Sequence, residues 1–260
     1  MNQETLHKMK QLRLFGMHDA FKTSLESAVR ETLTQDQLVA LLINSEWDDR
    51  KNRNIERSLK LANFRYKASM EQIDYDVERG IDKNQIHRFA NLDFVKEHKD
   101  LFIIGSTGTG KSYLASALGN QACQVGYRVL YTSTAKLMGQ LKLAKAKGTI
   151  LAELKKIERQ DLLILDDFGL QPFDLQARTS LLDIIEDRHQ KRSTIITSQI
   201  PVKEWHEVIG EKTIADAVLD RIVHHALRIE LFGESLRRKN SNKENQIENI
   251  ILSPNNEPKH

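Results

Sequence analysis

The run Leu-Phe-Ile-Ile-Gly-Ser-Thr-Gly-Thr-Gly-Lys-Ser, residues 101–112, decides the fold of this 260-residue chain. Its four apolar residues predict a buried strand, and the pattern from Ser112 to Val125 predicts a helix directly after the glycines. A glycine-rich turn in this position points backbone N–H groups inward beside the positive end of a helix, an arrangement that binds phosphate. The sequence therefore predicts a P-loop that consists of Gly105, Ser106, Thr107, Gly108, Thr109, Gly110, Lys111 and Ser112. In such a loop Lys111 would bridge the β- and γ-phosphates of ATP, and Ser112 would place its hydroxyl on Mg²⁺.

Further apolar runs alternate with helical segments after residue 100. They are Val129–Thr132, Leu162–Leu165, Thr194–Thr197 and Leu227–Leu231. Buried strands that alternate with helices predict an α/β fold with a parallel sheet covered by helices.

Two of these strands are followed by polar residues that complete a nucleotide site. Asp166 and Asp167 come directly after Leu162–Leu165, at the end of a parallel strand where ligands bind. Asp166 is predicted to hold the Mg²⁺ shell, and Asp167 to orient or deprotonate the attacking water. If the strand Thr194–Thr197 lies between the other two, Gln199 can reach the γ-phosphate.

The remaining sequence predicts three regions. Residues 1–80 form an all-helical domain for DNA or partner binding, 81–239 the ATPase domain, and 240–260 a polar, mostly disordered tail. In the first region Thr34 and Gln37 have the spacing of a capping box, and the helix that they open is predicted to run to about Asn63.

The bulk composition places few limits on function. A net charge of +3 does not by itself indicate nucleic-acid binding. A single cysteine, Cys123, cannot form an internal disulfide, and no apolar run has the roughly 18 residues of a membrane span. We expect a cytoplasmic protein without a membrane partner.

The chain resembles the AAA+ ATPases, and more narrowly the IstB family of transposition helpers, which is close to the DnaC-type helicase loaders. The resemblance covers nearly the whole chain and is most specific between Leu101 and Lys239. The motifs that carry it are GSTGTGKS (105–112), LLILDDFG (162–169), ITSQIPV (196–202), TIADAVLDRIVHHA (213–226) and RIELFGESLRRK (228–239).

The resemblance implies roles for particular residues. Arg221 matches the arginine finger supplied to a neighbouring subunit, which implies a homo-oligomer that forms with ATP. Arg237 matches the second sensor arginine, and Gln199 the first sensor, with Ser198 as the alternative. Residues 82–94 lie where the family holds adenine, and too little chain follows Arg237 for a full C-terminal lid domain.

Two features of these residues leave alternatives open. The second acid is usually Glu in AAA+ proteins, and Asp167 reaches one methylene less far, so hydrolysis could need a neighbouring group or DNA to complete the site. Arg221 could instead be a helix arginine in a surface salt bridge with Asp220 or Asp216.

Two basic clusters are candidates for DNA contact. Residues 50–67 hold seven basic residues against one acid, and four of them form a helical stripe: Arg50, Arg53, Arg57 and Lys60. The second cluster, in a predicted helix, is Lys136, Lys142, Lys145 and Lys147. A solvated helix face is the alternative for either cluster. Neither contains an aromatic series for base stacking, so the expected binding is largely independent of sequence.

These features together predict an ATP-dependent DNA-binding ATPase that assists a transposase. A DnaC-type helicase loader is the nearest alternative and would bind a replicative helicase through the helical region. A P-loop kinase for a small molecule is a third, and its ATPase activity would be indifferent to DNA.

Overall fold

The computed structural model describes residues 2–26, 33–75, 80–233 and 235–236. The chain divides into two compact units, with the boundary between Lys60 and Leu61. The predicted domain boundary lies further on, at residue 80, and this functional division remains a prediction. Over the described ranges, none of the helices combines the length and apolar character needed to cross a bilayer.

The first unit is helical. Its helices are α1 (Asn2–Gln11), α2 (Phe15–Glu26) and α3 (Gln35–Ala62), the last of which ends two residues beyond the boundary. The predicted capping box is present: the Thr34 amide donates to Gln37 Oε1 (2.9 Å), and the Gln37 amide to Thr34 Oγ1 (3.3 Å).

The expectation of helices throughout residues 1–80 is wrong for residues 63–75. Asn63 has a φ of 56°, and a left-handed residue of this kind ends a helix. Beyond Asn63 the described chain contains only one 3₁₀ turn, Met70–Gln72, before residue 76.

The second unit contains a five-stranded parallel sheet in the order β2-β3-β4-β1-β5. Its strands are β1 (Leu101–Gly105), β2 (Val129–Ser133), β3 (Leu162–Phe168), β4 (Ser193–Ser198) and β5 (Leu227–Leu231). The predicted α/β fold is confirmed. Strand β4 lies between β1 and β3, which is the order on which the predicted reach of Gln199 to the γ-phosphate depends.

The helices of the second unit pack around this sheet. They are α4 (Lys83–Ala90), α5 (Asp93–Lys96), α6 (Lys111–Val125), α7 (Thr134–Ala146), α8 (Ile150–Glu158), α9 (Leu175–Arg188), α10 (Trp205–Ile209) and α11 (Lys212–Val223). After β5 the described residues, which end at Leu236, include no helical lid. The predicted tail, residues 240–260, lies outside the described residues.

The two acids lie within β3 rather than after it. The pairing of β3 with β4 shifts register between Leu165 and Phe168, and Asp167 adopts a φ of 56°. A bulge of this kind changes the direction of side chains at the end of a strand. It places both carboxylates at the edge of the sheet where β1 leads into α6.

The buried side chain of an arginine at the end of α9 hydrogen-bonds to backbone carbonyls outside this helix. Arg188 is 1% exposed; its Nη1 donates to the carbonyls of Ile157 and Gln160 (both 2.9 Å), and its Nη2 to that of Ser193 (2.5 Å). Arg188 thus donates to three carbonyl oxygens, of which that of Ile157 also accepts from the Gln160 amide (3.1 Å).

Replacing Arg188 with methionine should reduce the free energy of unfolding by about 2 kcal/mol or more, since the Gln160 and Ser193 carbonyls lose this donor and each buried acceptor left unsatisfied costs about 1–3 kcal/mol. Urea unfolding at equilibrium measures this. The control is Arg192→Met, because the Arg192 side chain is 38% exposed and makes only long contacts, a 3.6 Å ion pair with Asp161 and a 3.3 Å hydrogen bond to the Lys191 carbonyl. Equal losses in the two variants would contradict the structural role of Arg188.

Candidate functional site

The P-loop connects β1 to α6 through a backbone that only glycine adopts easily. Gly108 and Gly110 have φ values of 83° and 98°, in the left-handed region. Lys111 Nζ donates to the Ser106 carbonyl (2.8 Å), as does Thr109 Oγ1 (2.9 Å). The lysine therefore curls back over the loop at the start of α6, as a phosphate-binding loop requires.

Asp166 is the centre of the polar groups beside this loop. It is fully buried, and its Oδ1 accepts hydrogen bonds from Ser112 Oγ (2.8 Å) and from the Thr197 hydroxyl. The Tyr131 hydroxyl donates to Oδ2. Burial, together with this hydrogen bond, raises the pKa of the Tyr131 phenol, so Tyr131 remains a donor. The P-loop serine and the carboxylate predicted to act on the same Mg²⁺ are thus in contact.

Asp167 is held by its backbone and by one arginine. Its amide donates to Thr197 Oγ1 (3.1 Å), and its Oδ2 accepts from Arg65 Nη1 (3.1 Å). The same Arg65 nitrogen lies 3.4 Å from Asp166 Oδ2. The left-handed backbone suits Asp at position 167, because Asp and Asn are among the non-glycine residues most tolerant of that conformation.

Gln199, rather than Ser198, faces the P-loop. Gln199 Oε1 accepts a hydrogen bond from Thr107 Oγ1 (2.5 Å). Ser198 is fully buried, and its hydroxyl donates to the Phe168 carbonyl (2.8 Å). The geometry supports Gln199 as the sensor candidate.

A cavity of about 550 Å³ opens over the P-loop. It is lined by Arg65, Tyr66, Gln72, Asp74, Thr107, Gly108, Gly110, Lys111, Ser112, Tyr113, Asp167, Leu170, Gln199 and Leu236. One wall comes from residues 65–74, in the segment between α3 and α4. Residues 82–94, where the resemblance places adenine, are not among the described lining residues.

The structure describes one of the two candidate arginines. Arg221, on α11, donates to Glu186 Oε1 (2.9 Å) and to the Ala217 carbonyl (2.8 Å). Its ion-pair partner is thus neither Asp216 nor Asp220. Arg237 lies outside the described residues.

The first basic cluster forms a stripe along one face of α3. On α3, Arg50 pairs with Glu46 (2.6 Å) and Arg53 with Asp49 (2.6 Å), while Arg57 is exposed. The α3 cluster is therefore partly neutralised within its own helix.

The second cluster lies along α7. Lys136, Lys142 and Lys145 are exposed on this helix, and Lys147 is its C-cap. The side of α7 that carries Leu137, Leu141 and Ala144 is buried. Lys142 also pairs with Asp174 (2.8 Å), but both side chains are more than half exposed. Among the described residues, the α7 lysines are thus less neutralised by ion pairs than the α3 stripe, although Lys136 and Lys145, nine residues apart, lie on opposite sides of the helix.

Three residues that contact the acids are not predicted by the sequence: Arg65, Tyr131 and Thr197. Arg65 belongs to the basic run 50–67, which suggests a helix face, although Asn63 separates it from α3. Thr197 had a usable signal, since a hydroxyl in a fully buried strand needs a partner. Tyr131 had none, because a tyrosine in a strand is ordinary.

A parallel sheet of this order, with a glycine loop between β1 and α6 and paired acids at the end of β3, defines a P-loop ATPase of the AAA+ class. The model of the family "IstB-like ATP binding protein" matches residues 7–244, and the chain belongs to that family.

Proteins of insertion sequences are among its relatives. The chain is 44% identical over 239 residues to a protein of Sinorhizobium fredii described as a putative insertion sequence ATP-binding protein, covering 92% of this chain and 98% of the relative. It is 30% identical over 235 residues to the corresponding protein of insertion sequence IS21 from Pseudomonas aeruginosa, covering 90% and 89%.

Solved structures share the fold. The crystal structure of DnaI aligns with a TM-score of 0.56 at 25% identity, over 68% of this chain and 93% of that one. AMPPCP-bound DnaA from Aquifex aeolicus aligns with a TM-score of 0.55 at 23% identity, over 74% and 58%.

Proposed function

We propose that this chain is the DNA-binding ATPase that helps a transposase, and that it assembles on DNA as a homo-oligomer when ATP is bound. Membership of a family whose relatives belong to insertion sequences is the observation that carries this proposal. A cytoplasmic site of action is part of it, because the DNA and the ATP are there.

ATP would be bound in the cavity over the P-loop. The amides of Gly105–Ser112 and the Lys111 ammonium would hold the triphosphate. The site also fits Mg²⁺: a hydroxyl oxygen and a carboxylate oxygen, Ser112 Oγ and Asp166 Oδ1, lie 2.8 Å apart. Mg²⁺ binds through one or two such oxygen groups plus phosphates, and it would neutralise charge on the phosphates.

Hydrolysis would use Asp167 and Gln199. Asp167 accepts the proton of a water whose oxygen bonds to the γ-phosphorus, while the bond from that phosphorus to the β–γ bridging oxygen breaks to give ADP and phosphate. Gln199 also lines the cavity, hydrogen-bonded to Thr107, and would contact the γ-phosphate. Arg221 is not among the described residues that line the cavity of its own chain, and it is proposed to act on the nucleotide of a neighbouring subunit, as the resemblance implies. Arg237 is proposed as the second sensor on the resemblance alone.

DNA would bind along α7. Its exposed lysines Lys136, Lys142 and Lys145, with Lys147, present cations without aromatic side chains between them, which suits contact with phosphates of any sequence. The α3 stripe of Arg50, Arg53, Arg57 and Lys60 is a second candidate.

The test is sedimentation with 30-base-pair duplex DNA, with and without MgATP. The proposal predicts ATP-dependent oligomers that carry DNA, and a monomer whose ATPase activity ignores DNA would overturn it.

The α7 surface is tested by affinity against salt concentration. Lys142→Ala/Lys145→Ala should reduce the slope of log affinity against log salt by about 0.9 for each DNA phosphate that the protein then leaves unneutralised. The matched control is Lys96→Ala/Lys99→Ala. This variant removes the same amount of charge from the segment just before β1, away from α7 in the sequence and at the amino end of the strand. An unchanged slope in the α7 variant would remove this helix from the DNA path.

A further inference from the structure

The segment between α3 and α4 brings an arginine to the acids of β3. The Phe64 ring packs edge-on against Tyr131, with centroids 6.1 Å apart, and a Cβ atom at Gly119 would collide with it. Ala62 and Ala68 are buried on either side. The backbone around Arg65 is therefore anchored to β2 and α6. This packing fixes the position of the arginine within the second unit.

Asp166 and Asp167 depend on Arg65 to different degrees. Asp166 receives three hydroxyl hydrogen bonds and only a long contact from Arg65, at 3.4 Å. Within the described chain, the side-chain hydrogen bond to the Asp167 carboxylate comes from Arg65, at 3.1 Å. Loss of Arg65 would therefore release Asp167 while Asp166 stayed in place.

We propose that Arg65 is a positioning residue for Asp167: its guanidinium fixes the carboxylate that accepts the proton of the attacking water. Asp167 is one methylene shorter than the usual Glu and is confined to a left-handed backbone. A hydrogen-bond donor with a fixed geometry is therefore needed to orient its carboxylate, and a planar guanidinium is such a donor. This inference rests on the proposed role of Asp167.

The exposure of the pair argues against a role in stability alone. The Arg65 side chain is 45% exposed and that of Asp167 is 25% exposed. Partly exposed ion pairs typically contribute about 0.2–1 kcal/mol to folding, so replacing Arg65 should leave the melting temperature nearly unchanged. A displacement of about 1 Å in a catalytic group can reduce turnover about 100-fold.

The experiment compares Arg65→Gln and Arg65→Lys with Lys67→Gln, which removes the same charge from an exposed residue of the same segment that does not line the cavity. We expect Arg65→Gln to lower kcat by about 10–100-fold. The affinity for a fluorescent ATP analogue with Mg²⁺ should stay within about twofold, since the predicted phosphate ligands are intact. Arg65→Lys should recover part of the activity, and Lys67→Gln should behave as the unaltered chain.

The double variant Arg65→Gln/Asp167→Asn decides whether Arg65 acts through Asp167. Measured by single turnover, Arg65→Gln should lower the rate by less than about twofold once Asp167 is Asn, since residues that act as a unit are not additive. A full loss in that background would overturn the proposal, as would a parallel loss of nucleotide affinity or a melting temperature lowered by more than about 5 °C in both Arg65 variants. If Asp167→Asn alone keeps full activity, the proposed role of Asp167 in hydrolysis is wrong. That result differs from a failure of the Arg65 proposal alone, in which Asp167→Asn is inactive but Arg65→Gln does not act through it.

Discussion

Replacing Arg221 with alanine should lower kcat for ATP hydrolysis about 10³-fold or more, while ATP affinity changes by less than about threefold. An arginine supplied to the γ-phosphate in the transition state contributes about 10³–10⁵ in kcat. Arg221 is not among the described residues that line the cavity of its own chain, and its side chain is 27% exposed beside Glu186. This position fits the proposed contact with a neighbouring subunit, and steady-state hydrolysis at saturating ATP measures the loss.

Two controls separate a finger from a structural ion pair. Glu186→Gln breaks the pair but keeps Arg221, so it should retain activity within a few-fold. Lys212→Ala removes a different cation from α11 and should have no effect. If Glu186→Gln reproduces the loss, Arg221 acts by stabilising its own subunit and the finger assignment is wrong.

Action in trans also predicts complementation. Mixed with Asp167→Asn protein, which still carries Arg221, the inactive Arg221→Ala protein should regain measurable hydrolysis, because some interfaces then join an intact finger to an intact acid. If oligomers shown to contain both variants recover no hydrolysis, the claim that Arg221 acts at a neighbouring subunit's site is contradicted.

Replacing Asp167 with asparagine should lower kcat about 100- to 1,000-fold without weakening ATP binding. A positioned general base contributes about 10²–10⁴ in rate, and Asn cannot accept the proton. Asn tolerates the left-handed φ of 56° at this position, and the amide bond to Thr197 is unaffected by the change. The fold should therefore persist, and the kcat against KM split tests the assignment.

The matched control for this variant is Asp161→Asn, at the opposite end of β3. Asp161 pairs with Arg128 (3.0 Å), so its loss should affect stability slightly and turnover little. Full activity in Asp167→Asn would show that another group activates the water.

Sequence reasoning predicts the sheet well because buried parallel strands leave a strong signal. The runs from Leu101, Leu162 and Leu227 all form strands, and β5 begins and ends at the predicted residues. The P-loop is equally easy to predict from the sequence. Few residues other than glycine adopt the left-handed backbone of this loop, and few other than lysine can bind the phosphates at the start of α6.

The cavity wall could not be predicted in the same way. Arg65 lies in a basic run, and only the helix end at Asn63 directs it to the acids instead of to the α3 face. A contact between residues 102 positions apart depends on the packing of Phe64 against Tyr131, which has no periodic pattern in the sequence. The bulge that turns Asp167 has no sequence signal either, apart from Asp in place of Glu.

The most direct measurement of the central claim is equilibrium binding of ATP by Lys111→Ala protein, with Lys96→Ala as the control and a melting curve to verify folding. If the P-loop holds the triphosphate, loss of the Lys111 charge should weaken binding about 100-fold or more, equivalent to about 2.7 kcal/mol. A folded Lys111→Ala protein that retains ATP as tightly as the unaltered chain would contradict a nucleotide site at Gly105–Ser112.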